Sequence, residues 1–176
     1  DWSSDVCSSD LTGQSAITVR KAYYTYYGTQ AVGGNEGDLK LVTIKDGQNN
    51  VVEEKYYRYY TPDNIEDEEE NIIGFVGAIR MYFDGPSFTR LKQAVSGWET
   101  AADSTVKPYA TDYFEYDGTT EQVKLRTSQG GGCSGTCGGG GLSTVTFGYD
   151  TNPDPNYADD YNTWKYKRTT TYAAVS

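Results

Sequence analysis

The feature that most constrains this fold is a recurring pair of aromatic side chains set two residues apart. The pattern aromatic-x-Tyr-[Tyr/Asp] occurs at residues 24–27, 57–60, 114–117 and 147–150. It is carried by Tyr24 and Tyr26, Tyr57 and Tyr59, Phe114, Tyr116 and Asp117, and Phe147, Tyr149 and Asp150. A spacing of two places both rings on one face of a β-strand. One such pair cannot bury its rings alone, so the repeat predicts strand–turn–strand units that stack on one another.

Alternation of apolar and polar residues elsewhere predicts further antiparallel strands. Residues 17–27, 39–45 and 51–60 are rich in β-branched and aromatic side chains, and Asp46-Gly47 supplies a turn between the last two segments. Similar alternation surrounds Val123, Val145 and Trp164. This pattern is typical of sheets with one buried face. We therefore expect an all-β fold, in which antiparallel hairpins form an extended, curved sheet.

One short helix is expected near residues 86–96. Phe88, Leu91 and Val95 fall on one helical stripe. Pro86 suits the first helical turn and Gly97 suits the end. The simplest interpretation is a surface helix that covers part of the sheet, and a partner-binding helix is the alternative.

The core is expected to consist largely of tyrosine. Leu, Ile, Val and Phe make up only 27 of the 165 residues from Thr12 onward, a level common in disordered chains. All 17 tyrosines lie in the same stretch, however, and their half-apolar rings favour strands. Structurally, such rings stack across strands, and those that stay exposed offer platforms for sugars.

Charge and composition exclude several classes of function. The formal net charge is −10 and the pI is about 4.4, which argues against nucleic-acid binding. The chain has no His, and so lacks the usual general base and the commonest metal ligand. No apolar run approaches the roughly 20 residues of a membrane-spanning helix. No carboxylate stands out by its surroundings, so we expect a non-catalytic protein that needs no cofactor.

Three segments could carry a site. Cys133 and Cys137 lie in a Gly-rich loop at residues 129–142 and allow a small disulfide, free thiols or half of a zinc site. Residues 150–156 fit either a Pro/Asx-rich turn or a weak calcium loop. The acidic run at residues 66–70 fits a solvated loop, with a basic partner as the alternative. No metal site is predicted from these segments.

The first eleven residues resemble the in-frame translation of a sequencing adaptor. They have neither the basic start nor the apolar stretch of a signal peptide. Residues 1–11 are therefore interpreted as an artefact, and residues 12–176 as a fragment of a longer protein.

The repeat resembles that of the YD-repeat, or Rhs, family, whose unit has the form Tyr-x-Tyr-Asp-x-x-Gly-x-Leu. Two units keep Tyr-Asp, two have Tyr-Tyr, and the Gly-Arg-Leu that follows is eroded. The resemblance implies a β-ribbon that spirals into a shell in large secreted or cell-surface proteins. Some members are polymorphic toxins that enclose a C-terminal toxin, and others take part in cell contact.

The expected partners follow from that resemblance. They are neighbouring repeats of the same polypeptide, with cell-surface glycans or an enclosed C-terminal domain as further partners. The expected location is extracellular or on the cell surface. A carbohydrate-binding β-module that uses exposed Tyr and Trp rings is the alternative function.

Overall fold

The computed structural model describes residues 4–5, 19–129, 142–151 and 166–172, and their strands form one antiparallel sheet. The nine strands lie side by side in chain order. They are β1 Ser4–Asp5, β2 Arg20–Tyr26, β3 Leu39–Asp46, β4 Val51–Tyr59, β5 Ile79–Phe83, β6 Asp112–Tyr116, β7 Val123–Gln129, β8 Leu142–Thr151 and β9 Tyr166–Tyr172. The predicted all-β fold with a short helix is confirmed.

The four sequence units correspond to four successive hairpins. Hairpin 1 is β2–β3, hairpin 2 is β4–β5, hairpin 3 is β6–β7 and hairpin 4 is β8–β9. In each hairpin the aromatic pattern lies at the end of the first strand or just beyond it, and the second strand returns beside it. We refer to β3, β5, β7 and β9 as the return strands.

The described helices lie on one face of this sheet. Helix α1 spans Gly85–Ala94, close to the predicted range, and the shorter α2 spans Asp103–Val106. The Asp84 carboxylate accepts a hydrogen bond from the Ser87 N–H at 2.9 Å and so caps α1. A 3₁₀ turn, Lys107–Tyr109, follows α2.

The core lies between α1 and the middle strands. The Phe88 ring of α1 stacks on Tyr56 of β4 at 5.2 Å, and Tyr56 is paired with Phe83 of β5. The main cluster of buried side chains is Tyr27, Tyr56, Tyr59, Met81, Phe83, Phe88, Leu91, Val106, Ala110 and Tyr113. Tyrosines make up four of these ten residues, which agrees with the expected tyrosine-rich core.

The first aromatic of every unit lies on the opposite face. Pairing carries this face across the sheet, since directly paired residues, and residues two apart along a strand, share a face. Tyr24, Tyr57, Phe114 and Phe147 fall on it, together with Tyr82, which pairs with Tyr57. All five are partly exposed. We call this surface the open face, because α1 packs on the other side.

Several sequence predictions concern places away from the core. All residues of the acidic run at 66–70 are exposed, as expected, and the Asp67 carboxylate accepts the N–H groups of Glu69 and Asn71. Cys133 and Cys137, and residues 152–156 of the candidate calcium loop, lie outside the described residues. Ser4 and Asp5, within the segment interpreted as an artefact, pair with Ala22 and Lys21.

No helix in the described parts of the chain is both long enough and apolar enough to cross a membrane.

Candidate functional site: a tyrosine ladder between hairpins

The third-position tyrosines join each hairpin to the one before it. In hairpins 2, 3 and 4 the tyrosine hydroxyl donates to the backbone carbonyl of the first residue of the preceding return strand. These bonds run from Tyr59 to Leu39 at 3.0 Å, from Tyr116 to Ile79 at 2.8 Å and from Tyr149 to Val123 at 2.8 Å. We call Tyr59, Tyr116 and Tyr149 the tyrosine ladder. The same donor meets the same acceptor position three times, so the sequence repeat is also a structural repeat.

A change of register places the third position at the end of its hairpin. The pairing shifts just before Tyr26, Tyr59 and Tyr116 in hairpins 1, 2 and 3. Such a bulge bends the strand and re-aims the side chains beside it. Strict alternation, on which the shared-face prediction depended, is therefore interrupted between the second and third positions of these units. Hairpin 4 has no such shift, and Phe147 and Tyr149 keep the predicted alternation.

The turn after the pattern is closed in one way in the first three hairpins. The fourth-position N–H donates to the carbonyl of the residue just before the return strand, at Asp38, Ala78 and Gln122, with N···O distances of 2.8, 2.9 and 2.8 Å. The fourth-position carbonyl in turn accepts the N–H of a residue in the left-handed region: Gly37 at φ 88°, Gly77 at φ 87° or Glu121 at φ 57°. Glycine adopts this backbone freely, which explains its place in two of the three turns.

Fourth-position tyrosines supply a second link between hairpins. Tyr27 and Tyr60 are 3% and 0% exposed, so both rings are buried. The Tyr27 hydroxyl donates to the Tyr57 carbonyl at 2.7 Å, and the Tyr60 hydroxyl donates to the Phe114 carbonyl at 2.8 Å. Each acceptor is the first position of the following unit. Position three therefore bonds backward along the chain, and position four bonds forward.

Each of these buried rings lies against a glycine of its own loop. A Cβ added at Gly34 would lie 2.3 Å from the Tyr27 ring, and one added at Gly74 would lie 2.4 Å from the Tyr60 ring. The carbonyls just before these glycines, Gly33 and Ile73, accept the N–H groups of Tyr59 and Tyr116, both at 2.8 Å. The loop is thus held between its own tyrosine and the next hairpin.

The third unit replaces the fourth-position tyrosine with Asp117. Its carboxylate accepts the N–H groups of Thr119 and Thr120 at 3.1 and 2.8 Å. These hydrogen bonds, chiefly those from Thr120, lower the pKa of Asp117 below its ordinary value. The aspartate therefore organises a tight turn within its own hairpin, whereas Tyr27 and Tyr60 reach the next one. Asp150 of the fourth unit is exposed.

Burial makes the core hydroxyls poor acids. It raises the pKa of Tyr59 to about 12, helped by the charge of Asp38, and that of Tyr113 to about 12, helped by Glu115. Burial also raises the pKa values of Tyr27 and Tyr60 far above the ordinary tyrosine value. These groups stay protonated at neutral pH and act as hydrogen-bond donors.

A buried arginine fastens the segment after α1 to the core face. Arg58, at the second position of the second unit, is 0% exposed. Its guanidinium donates to the carbonyls of Trp98 and Ala101 at 2.8 and 2.7 Å and pairs with Asp103 at 2.8 Å. Its Nε donates to the Tyr56 hydroxyl at 2.8 Å. A buried charge needs such complete pairing, so these bonds fix the position of α2.

An open pocket of about 560 Å³ lies beside this arginine. It is bounded by the loop of hairpin 1 and by the segment after β4, and Asp103 stands on its wall. Asp103 also pairs with Arg80 at 2.6 Å and accepts from Asn64 at 3.0 Å, so its oxygens are already engaged. Among the described residues no group of three or more acidic or Cys side chains is arranged to hold a metal ion.

The structure therefore divides the predicted residues by position in the unit. First positions lie on the open face, and third positions in hairpins 2 to 4 form the ladder. Sequence reasoning missed the buried residues on either side of the pattern, which are Tyr56 and Tyr113 before it and Tyr27 and Tyr60 at its end. A signal for the loops was present as Gly-x-x-Gly-x-aliphatic at residues 34–39 and 74–79.

No protein-family model matches this chain, and no curated protein or solved structure matches it either.

Proposed function

We propose that this chain is a non-catalytic structural segment of a large secreted or cell-surface protein of the YD-repeat type. In this role its hairpins build a β-wall that encloses a C-terminal toxin or presents a contact surface. The observation that carries the proposal is the tyrosine ladder, because it joins successive hairpins through one recurring bond. A bond that recurs at each junction suits a sheet that continues from one hairpin to the next.

The ends of the loops support the proposal further. In the YD-repeat unit an aromatic pattern is followed by Gly-Arg-Leu. Here the corresponding places hold Gly37-Asp38-Leu39 and Gly77-Ala78-Ile79, where the glycine closes the turn and the aliphatic residue begins the return strand. Leu39 and Ile79 also offer the carbonyls that the ladder uses. Under this proposal, the residues that stand in place of Gly-Arg-Leu share one structural role in both loops.

The linear order of the sheet also suits a wall. Each described strand pairs only with described strands that neighbour it in sequence, so each hairpin depends on the hairpins beside it. Repeat proteins with this property grow along one dimension, and their stability is shared between units and the interfaces between them.

Small-angle scattering of longer versions of the chain tests the proposal. Versions that carry one and two additional copies of hairpins 2 and 3 should gain length with each copy while their cross-section stays constant. Constant cross-section is expected because each added hairpin bonds only to its neighbours. A compact particle whose dimensions grow equally in all directions would contradict the proposal.

A carbohydrate-binding module is the second candidate, and the open face favours it. Tyr57 and Tyr82 lie side by side there, with ring centroids 5.3 Å apart and both rings partly exposed. Flat rings with polar tips suit sugar faces. Trp98 does not contribute such a platform, since its ring packs 4.9 Å from Tyr56 and 4.8 Å from Phe88.

A glycan array distinguishes this candidate from the structural role. Binding that disappears in Tyr57→Ala and persists in Tyr149→Phe would support a sugar platform on the open face. A flat response to all glycans would dispose of this candidate and leave the structural role untouched.

A further inference from the structure

Two tyrosine rings lie against each other on the open face, on the two strands of hairpin 2. Tyr57 of β4 and Tyr82 of β5 are directly paired across the strands. Their ring centroids are 5.3 Å apart, and the ring planes are inclined by 38°. A direct cross-strand pair holds its side chains next to each other on one face of the sheet. We call Tyr57 and Tyr82 the open-face pair.

Both phenols of the open-face pair are accessible and unengaged. Each side chain is partly exposed. In the part of the chain that the structure describes, neither hydroxyl has a hydrogen-bond partner. A small reagent can therefore reach both rings, and a proton released from either hydroxyl can pass directly to water.

Two other pairs of tyrosine rings in the described ranges differ from the open-face pair on both counts. Tyr27 lies edge to face with Tyr59 at 6.3 Å, and Tyr27 is buried. Tyr60 lies edge to face with Tyr116 at 6.0 Å, and Tyr60 is buried. All four of these hydroxyls donate to backbone carbonyls, so their protons are held inside the fold. Chemistry at exposed tyrosine rings should thus favour the open-face pair.

We propose that the open-face pair is a site of oxidative cross-linking, at which the two rings are joined as dityrosine and lock β4 to β5. The oxidant is of the peroxidase class and acts with hydrogen peroxide. Each phenol loses one electron and one proton, and the two tyrosyl radicals form a bond between the ring carbons next to their oxygens. The hydrogens on those carbons then move to the oxygens and restore both phenols. One hydrogen peroxide takes up the two electrons and two protons and becomes two waters.

Contact between the rings favours this bond over a bond between two molecules, because groups held together react as if at very high concentration. The bond joins two strands that are connected by residues 60–78. It closes this segment into a covalent loop, and a closed loop restricts the unfolded chain more than the folded one. The cross-linked chain should therefore resist unfolding better than the untreated chain. This consequence holds whether or not the chain forms part of a larger wall, so it does not rest on the proposed function.

Treatment of the whole chain with a peroxidase and hydrogen peroxide at low protein concentration tests the proposal. The monomer should gain the fluorescence of dityrosine, and mass spectrometry of its peptides should find Tyr57 joined to Tyr82. Tyr57→Phe and Tyr82→Phe should each lose this product. Tyr24→Phe is the matched control, because Tyr24 is also a partly exposed tyrosine of the open face but contacts no other ring in the described ranges. It should yield as much dityrosine as the wild type.

Urea denaturation of the purified cross-linked monomer supplies the second readout. Its midpoint should lie above that of the untreated chain, and Tyr82→Phe treated in the same way should keep the untreated midpoint. A monomer without dityrosine, or linked peptides that join other tyrosines, would overturn the proposal. So would an equal loss of product in Tyr82→Phe and Tyr24→Phe, or a midpoint that the cross-link does not raise.

Discussion

Hairpins 2 and 4 share the ladder hydrogen bond but differ in what covers them. In hairpin 2, Tyr56 and Phe83 are completely buried beneath α1. In hairpin 4, none of the side chains described for β8 and β9 is buried. Among the described residues, it is joined to the rest of the chain by the pairing of β8 with β7, by the Tyr149 hydroxyl bond to Val123 and by the Thr127 and Thr144 hydroxyls, 3.4 Å apart.

This difference separates the repeat from the core. The ladder bond joins the same donor to the same acceptor position in both hairpins. Its length is 3.0 Å in hairpin 2, which lies beneath a helix, and 2.8 Å in hairpin 4, which does not. The bond is therefore a property of the repeat, and the helical cover adds stability only in the middle of the sheet. Local unfolding should accordingly cost less free energy in hairpin 4 than in hairpin 2.

High pH should unfold the part of the sheet beneath α1 and so abolish the difference in stability between hairpins 2 and 4. The pKa values of Tyr59 and Tyr113 are about 12 in the folded chain, above the value of about 10 for free tyrosine. Because the folded-state pKa is raised, the stabilisation is complete below about pH 10 and is lost as the pH rises towards 12. We expect the chain to unfold in this window, with tyrosinate absorbance and far-ultraviolet circular dichroism changing together.

Reversible titration of all tyrosines near pH 10, with the circular dichroism unchanged, would contradict the buried tyrosine core.

Truncating Phe88 should strongly destabilise the middle of the sheet beneath α1. Phe88→Ala removes the ring that stacks on Tyr56 and leaves a cavity under α1, which typically costs about 3–5 kcal/mol. Urea denaturation measures the loss. Val145→Ala, in the uncovered hairpin 4, is the comparison and should cost much less, because its side chain is only partly buried. Equal losses would mean that the two hairpins do not differ in packing.

Adding one methyl group at Gly74 should damage the contact between loop and tyrosine. The new Cβ would overlap the Tyr60 ring, and overpacking of this kind costs about 1–3 kcal/mol. Gly28→Ala is the matched control, since a Cβ at Gly28 meets nothing within 4 Å. Thermal unfolding of the two variants compares them directly, and a Gly74→Ala variant as stable as Gly28→Ala would show that the ring does not lie on the glycine.

Removing the N-terminal cap of α1 should lower the stability of α1 and of the strands β4 and β5 beneath it, and of no other part of the sheet. Asp84→Ala loses the hydrogen bond to the Ser87 N–H and should cost about 1 kcal/mol. Hydrogen exchange should accelerate in α1 and in β4 and β5 beneath it, while β9 exchanges as before. Acceleration spread evenly over the sheet would argue that the helix and the hairpins unfold as one unit.

Local periodicity made much of this fold predictable. The alternation at residues 39–45 and 51–60 indicated β3 and β4, and the stripe of Phe88 and Leu91 indicated α1. Those signals depend on the residues of a single element. β5, with five residues, and α2, with four, are too short to give a comparable signal.

The candidate site was only partly predictable, for two physical reasons. The aromatic pattern singled out the ladder tyrosines, but the register shift before Tyr59 and Tyr116 alters where they point, and such a shift leaves no mark in alternation. Arginine is usually a surface residue, so nothing in the sequence indicated that Arg58 is buried. Its guanidinium can be buried because carbonyls distant in sequence and the Asp103 carboxylate accept its hydrogen bonds. Both features depend on partners far along the chain.

The most direct test of the ladder compares the free energy of unfolding of Tyr116→Phe with that of Tyr57→Phe. Both substitutions remove one hydroxyl from a tyrosine of the repeat. Only the Tyr116 hydroxyl bonds to the preceding hairpin, at Ile79, while the Tyr57 hydroxyl has no hydrogen-bond partner among the described residues. We predict a loss of about 1 kcal/mol for Tyr116→Phe and almost none for Tyr57→Phe. Equal losses, or a larger one for Tyr57→Phe, would contradict the claim that third-position hydroxyls hold successive hairpins together.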